Sequence, residues 1–388
     1  MPATFGSAFS YIPGIKEHSV NCLKLSLGNP GVVYAGTARA LYQSLDAGQN
    51  WRQIPEVRGA INDIEIDSSG AVFVATDEGL FLNLAGRWQK PYRSQEPLQK
   101  IVQAVAIDDS GKIIAIATKA GLFYSLDSVK TWQKLTNADD SSFSAVKFSP
   151  FNAGLLYASS TKGLFKIDLK QNTSERIFVI SQEEQGEQDA SEDSEQVEYE
   201  EPVTTSNLIN CIFLSAGDKK SLYLATQRGI FVTSDEKDWQ KFNEDGLLSK
   251  EIRDIHEDSQ GNLYAATDKG LFRFRKTSQQ WQAIYKGISS QDIKDVEIAQ
   301  KAKNLWLAPG QGLFRGEIDI RDFERYEDKV NFANNEPTIN EIQKEAIQYA
   351  EVYPDKIKSW RTAAAKKALL PRVTVGADRY ATELYHWD

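Results

Sequence analysis

Three short stretches of this chain carry residue types that chemistry uses. Asp63 and Glu65 lie in INDIEID, Asp254, His256 and Glu257 in IRDIHED, and Asp295 and Glu297 in IKDVEIA. Carboxylates gathered with an imidazole can hold a cation or a polar ligand, and two carboxylates set across a glycosidic bond can hydrolyse it. The plainer reading of the same residues is a set of solvated charges. Other catalytic signatures are missing from the chain. Its three histidines, His18, His256 and His386, are far apart, and it has no HExxH, CxxC, EF-hand loop, GxSxG elbow or phosphate-binding glycine loop. The expectation is therefore no catalytic set, no resident metal and no cofactor.

The elements that must position these residues repeat. The phrases YAGTARALY, VATDEGLF, IATKAGLF, ASSTKGLF, LATQRGIF, AATDKGLF and LAPGQGLF place Ala40, Gly79, Gly121, Gly163, Gly229, Gly270 and Gly312 at spacings of 39, 42, 42, 66, 41 and 42. The one long gap holds an acidic run, and removing about 25 residues there restores the period. Each unit reads as strands only: an apolar run such as VNCLKLS, a turn, a second strand such as VFVAT, a turn at the Gly, and a third strand. A fourth strand carries an aromatic, namely Trp51, Trp88, Trp132, Trp239 or Trp281, with Phe178 standing in within the fourth unit.

Four strands at a period near 42 predict an all-β, seven-bladed β-propeller of four-stranded blades. Such a ring must close or expose two strand edges. FSYIPGI at the N-terminus resembles the fourth-strand phrase WQAIYKGI, so residues 8–13 are expected to complete the last blade. Blades 6, 7, 1 and 2 are then contiguous. The acids Asp63, Glu65, Asp254, Asp295 and Glu297, with His256, become a candidate ligand site at one sector of the channel mouth, beside Asn21 and Lys24.

Composition narrows the function. Net charge is −9, but ten acids and no base lie in residues 183–201, so the rest of the chain is nearly neutral and shows no basic patch for nucleic acid. Cys22 and Cys211 each sit inside an apolar run and read as reduced, buried small residues. No run of 18 apolar residues exists, and the N-terminus has no charged and then apolar leader, as expected of a cytoplasmic protein or of a processed chain.

SLDAGQNW at 44–51 and SLDSVKTW at 125–132 resemble the S-x-D-x-G-x-T-W phrase of the Asp-box, or BNR, repeat. Ser44, Asp46, Gly48, Asn50 and Trp51 match it, as do Ser125, Asp127, Thr131 and Trp132, while Thr233, Asp235 and Trp239 form a shortened version. Over residues 8–325 the chain looks like propellers of the photosystem II stability/assembly factor type. The resemblance implies a structural role for the phrase, and its chemistry agrees. Ser and Asp side chains tie the reversing backbone, Gly48 supplies a positive φ, and Trp buries roughly 150 to 250 Å² between blades. Sialidases also carry Asp-boxes, but they resemble six-bladed rings with an Arg-Ile-Pro phrase, which this chain lacks.

Two segments fall outside the repeat. Residues 181–202 are too acidic and too poor in aliphatic residues to bury a core, and read as a disordered insert within blade 4 or between blades 4 and 5. After Asp328 the β pattern stops. Thr338 and Glu341 form a capping box, one helix is expected up to Pro354, and a second, basic helix from about Asp355 to Leu370. This tail resembles a segment that follows propellers in some bacterial envelope proteins.

The expected organisation is thus a propeller over 1–328 and a two-helix C-terminal segment over 329–388. The expected function is a non-enzymatic interaction or assembly scaffold with a protein partner and no nucleic acid. Membrane contact is expected only indirectly or through the C-terminal region, and the bacterial periplasm or envelope is favoured over the cytoplasm. The competing reading is a glycan-binding or glycoside-hydrolysing propeller.

Overall fold

The structure, a computed structural model, describes residues 9–17, 19–136, 141–180, 209–215, 220–276, 278–285, 287–299 and 304–317. The acidic insert, the C-terminal segment with its two expected helices, His18 and His386 lie outside the described residues.

Seven antiparallel sheets of four strands each make up the fold. Blade 1 consists of Val20–Leu25, Val33–Thr37, Leu41–Ser44 and Arg52–Ile54, in that spatial order. Blades 2 to 6 repeat this order and open with Ile61–Ile66, Val102–Ile107, Phe143–Phe148, Ile209–Leu214 and Ile252–Glu257. Blade 7 draws three strands, Ile293–Ala299, Asn304–Pro309 and Phe314–Glu317, from one end of the ring and Ser10–Tyr11 from the other. Ser10 pairs with Arg315 and Tyr11 with Phe314, so the N-terminal strand closes the circle as its sequence foretold. The opening strands of successive blades touch one another around the full ring, with blade 7 meeting blade 1.

The strands are short because each spans only one blade. Their alternation is visible where one face meets the channel, as in Ile61–Ile66, and is lost in the second strands, where Val33–Thr37, Val72–Thr76 and Ile114–Thr118 are buried at every position. Strands covered by a neighbouring blade on each side read as continuous apolar runs for this reason. Thr173–Phe178 completes blade 4 before the acidic run begins, so that run connects blades 4 and 5 rather than interrupting blade 4.

The recurring turn before Leu-Phe has one chemical design. A buried Thr or Ser hydroxyl donates to the carbonyl three residues on: Thr76 to Gly79, Thr118 to Gly121, Ser160 to Gly163, Thr226 to Gly229 and Thr267 to Gly270. The glycine takes φ of 128° at Gly79 and 123° at Gly121, which disfavours any side chain there. In blade 1 Thr37 makes the same bond to Ala40, which keeps a negative φ and so tolerates its methyl group.

Candidate functional site

The opening strand of each blade obeys a positional code that decides what its side chains can do. Its first residue, Val20, Ile61, Val102, Phe143, Ile209, Ile252 or Ile293, is fully buried. At the second residue the pairing with the next strand slips by one in all seven blades, a β-bulge that re-aims the side chain. That side chain is polar every time, and it reaches the next blade. Asn21 donates to Ile61 O, Asn62 to Val102 O, Ser144 to Ile209 O and Asn210 to Ile252 O. Gln103 accepts from Ser142, Arg253 bonds Asp292, and Lys294 bonds Asn21 Oδ1 at 3.1 Å, which closes the series. The sequence signal was present as a polar letter in second place of every apolar run. Without the bulge it reads as ordinary strand alternation.

The third residue sorts the sequence-predicted acids. Asp63, Asp254 and Asp295 stand here, and each accepts a backbone N–H of the following blade. Val105 N lies 2.9 Å from Asp63 Oδ2, Val296 N 3.2 Å from Asp254 Oδ2, and Leu23 N 2.5 Å from Asp295 Oδ2. Asp63 and Asp254 also accept the N–H of their own next residue, Ile64 and Ile255. Burial first, and then the Glu65 charge, pushes the Asp63 carboxyl up to about 6. Where this position is Cys22, Ala104, Ala145 or Cys211, no carboxylate is available for the bond.

The fifth residue points into the channel. Lys24 Nζ lies 3.1 Å from Glu65 Oε2 and 3.2 Å from Glu297 Oε1, and Lys147 Nζ lies 2.8 Å from Glu65 Oε1. Lys147 of blade 4 passes blade 3 to reach blade 2 because blade 3 offers only Ala106 at this place. Burial would raise Glu65, but the two lysines outweigh it and hold it at about 2. Burial likewise opposes the charge on Lys24, and Glu297 and Glu65 overcome it, so Lys24 is raised well above its ordinary range.

His256 is the fifth residue of blade 6, with Nε2 at 3.3 Å from Asp254 Oδ2 and 27% of its side chain open to the channel. Burial would keep it neutral, but Asp254 outweighs that and raises its pKa. Asp254 is itself held low: burial opposes ionisation, while His256 and hydrogen bonds from His256, Asp295 and Cys211 favour it more. Burial, followed by the Asp254 charge, raises Asp295 well above its usual range. The structure therefore brings Asp254, His256 and Asp295 together at one seam and places Asp63 and Glu65 in a separate sector tied to lysines. Each of Asp254, His256 and Asp295 offers a ligand atom within 4.8 Å of the others.

At the rim, the Ser-x-Asp turns are closed by their own side chains. Ser44 donates to Asp46 Oδ1 at 2.8 Å and accepts Gly48 N, while Asp46 also accepts Asn50 N and Asn50 Nδ2. Ser125, Asp127 and Thr131 repeat the pattern, and Thr233 with Asp235 does so in blade 5. Hydrogen bonds led by Asn50 and by Thr131 hold Asp46 and Asp127 at about 2. Gly48 has φ of 85°, and a Cβ there would meet the Trp306 ring at 2.7 Å. Each tryptophan docks on the chain leaving the preceding blade. Trp132 Nε1 donates to Pro91 O and packs on Tyr92, Trp239 Nε1 donates to Ile177 O and packs on Phe178, and Trp51 lies against Gly14. Asp235 and the other rim acids thus serve turns, away from the channel groups.

On the side of the Thr-Gly turns the channel opens into a depression of about 490 Å³, lined by Asn21, Ile61, Asn62, Asp77, Ile101, Gln103, Lys119 and Ser144. Its walls are the bulge side chains of blades 1 to 4, so the same polar residues that clasp the seams shape the mouth.

With this geometry in hand, comparison with known proteins places the chain among propellers. A family model described as two component regulator propeller matches residues 246–269, at the junction into blade 6. No curated protein sequence matches the chain. Among solved structures, the extracellular domain of a one-component system from B. thetaiotaomicron superposes with a TM-score of 0.62 at 15% identity, over 80% of this chain and 40% of that one. The corresponding domain of a hybrid two-component system from the same organism gives 0.62 at 14% identity, over 80% and 42%. YCF48, solved with D1 peptide bound, gives 0.59 at 14% identity, over 82% of this chain and 98% of its own. The chain spans about two fifths of the bacterial extracellular domains it resembles. These likenesses show the propeller fold.

Proposed function

We propose that this ring is a non-catalytic docking module that receives an extended polar peptide of a protein partner at the channel mouth formed by Asn21, Asn62, Gln103, Ser144, Asp77 and Lys119. The observation that carries this reading is the commitment of the channel acids. Asp63, Asp254 and Asp295 hold backbone N–H groups, and Glu65 and Glu297 are neutralised by Lys24 and Lys147. Hydrolysis of a glycoside needs a protonated and an ionised carboxyl facing the same bond, both free to move protons. The mouth instead presents amides and a hydroxyl that keep hydrogen-bonding capacity beyond their seam bonds, with one charge of each sign, which suit the alternating donors and acceptors of a peptide backbone. That YCF48, a propeller of the same fold, has been solved with a peptide supports the same reading.

In this proposal the Ser-x-Asp turns belong to the Asp-box, or BNR, class and are purely structural. The propeller domain is 1–328, and the helical segment 329–388 supplies a second contact surface. The location is outside the cytoplasm, a reading supported by the extracellular neighbours. Panning a displayed peptide library against the full chain tests the function. Peptides should be enriched whose binding falls at least tenfold with Gln103→Ala or Lys119→Glu. Turnover of a fluorogenic glycoside that disappears in Asp63→Asn would overturn the proposal in favour of a hydrolase.

A further inference from the structure

We propose that Asp254, His256 and Asp295 form a binding site for a divalent transition-metal ion of the zinc class, set in the channel wall where blades 6 and 7 meet. The site shares no residue with the peptide mouth and does not depend on that reading.

Distances carry the argument. The three residues each present one ligand atom, and these atoms lie within 4.8 Å of one another. His256 Nε2 and Asp254 Oδ2 are 3.3 Å apart. Zinc binds such ligands at about 2.0 to 2.1 Å, and the edge of a tetrahedron of that radius is about 3.3 to 3.4 Å. The same two atoms are within hydrogen-bond reach, so imidazole and carboxylate pair directly without an ion, and a cation would enter between them at little cost in movement. An imidazole in the set selects zinc, cobalt or nickel over calcium and magnesium, which take mostly oxygen ligands in larger numbers.

The surroundings are those of a held ligand set. Asp254 is oriented by Ile255 N and Val296 N, and Asp295 by Leu23 N, so neither carboxylate can swing away. Two carboxyl groups of adjoining blades meet in the ring interior, hydrogen-bonded to one another, and a bound cation would take the place of the proton they share. The nearby Lys24 is occupied by Glu65 and Glu297. His256 keeps part of its surface on the channel, which supplies an entry path and a water for the fourth position. A bound ion would join blade 6 to blade 7 one step from the seam that closes the ring.

The test uses the full chain after dialysis against a chelator. Co²⁺ is added and followed by its visible absorption, which is intense only in tetrahedral sites, and Zn²⁺ by calorimetry and thermal shift, with Ca²⁺ and Mg²⁺ in parallel. One equivalent of Co²⁺ or Zn²⁺ is expected to bind and to raise Tm with concentration. Two variants keep the ring intact because other blades already use the new residue at this position: His256→Ala, as Ala106 in blade 3, and His256→Phe, as Phe213 in blade 5. Each should weaken Co²⁺ and Zn²⁺ binding by at least a hundredfold. No binding below millimolar metal, an equal response to Ca²⁺, or unchanged affinity in either folded variant would overturn the assignment.

Discussion

Closure of the ring can be tested at a single contact. Phe9 and Ile12, each 9% exposed, anchor the N-terminal strand, and Ile12 N donates to Leu313 O at 2.8 Å. The Phe9 ring fills the space that a side chain at Gly316 would need, since a Cβ built there meets ring atoms at 2.9 Å. Phe9→Ala empties this space and should cost about 3 to 4 kcal/mol, the range for loss of a buried phenyl ring. Set against a total stability of about 5 to 15 kcal/mol, that is a large fraction. In a ring of this size it corresponds to a fall in Tm of roughly 5 to 10 °C. Gly316→Ala should destabilise as well, because the added methyl must displace the ring; no positive φ complicates that substitution. The informative measurement is the double variant. With the phenyl group gone, the methyl added at Gly316 has room, so the two costs should fall short of additivity by about 1 kcal/mol or more in urea denaturation. Tyr11→Ala, at a residue 56% exposed, serves as the control and should cost under about 1 kcal/mol. A Phe9→Ala protein melting within a degree of the parent, or strictly additive costs, would refute the view that this contact latches the ring.

Further outcomes follow from the seams and the rim. Asn62→Ala should cost about 1 kcal/mol by removing the bond to Val102 O, measurable by chemical denaturation, and the adjoining clasp at Asn21 should behave alike. Trp239→Phe removes the donor to Ile177 O while keeping the contact with Phe178, so a loss of about 1 to 2 kcal/mol is expected in the same assay. Gly48→Ala should destabilise by about 2 kcal/mol or more, through φ of 85° and the collision with Trp306. Asp63, raised to about 6, holds a proton in the folded state that the unfolded chain has released above its ordinary value of 3.8. Its contribution to stability is therefore present at low pH and declines as pH rises from about 4 to 6. The difference in stability between the parent and Asp63→Asn should shift by about 2 kcal/mol across that window. The rim acids act with the opposite sign. Asp46 and Asp127, held at about 2, lend stability above pH 4 that is lost as pH falls through 2, and Asp46→Ala should flatten that acid limb.

The chain by itself determined the ring. A period near 42, apolar runs of strand length, Gly at the recurring turn and an orphan fourth-strand phrase at the N-terminus leave one arrangement that pairs every edge, because each unit can bury its faces only against its neighbours. Ser-x-Asp turns were legible for the same reason: their hydrogen bonds run between residues two to four apart, so local sequence contains both partners. What the acids do was decided only by the tertiary structure. Asp63 and Asp254 occur in nearly identical phrases, yet one lies beside a lysine-bound glutamate and the other faces His256 and Asp295. Glu65 and His256 lie two residues from these acids and were legible, but their partners Lys24, Lys147 and Asp295 come from other blades, about 40 to 80 positions away, and a one-residue bulge turns each second side chain onto the next seam. Periodicity reports which residues are buried; it carries no information about which charges meet across a channel, because that depends on the ring having closed.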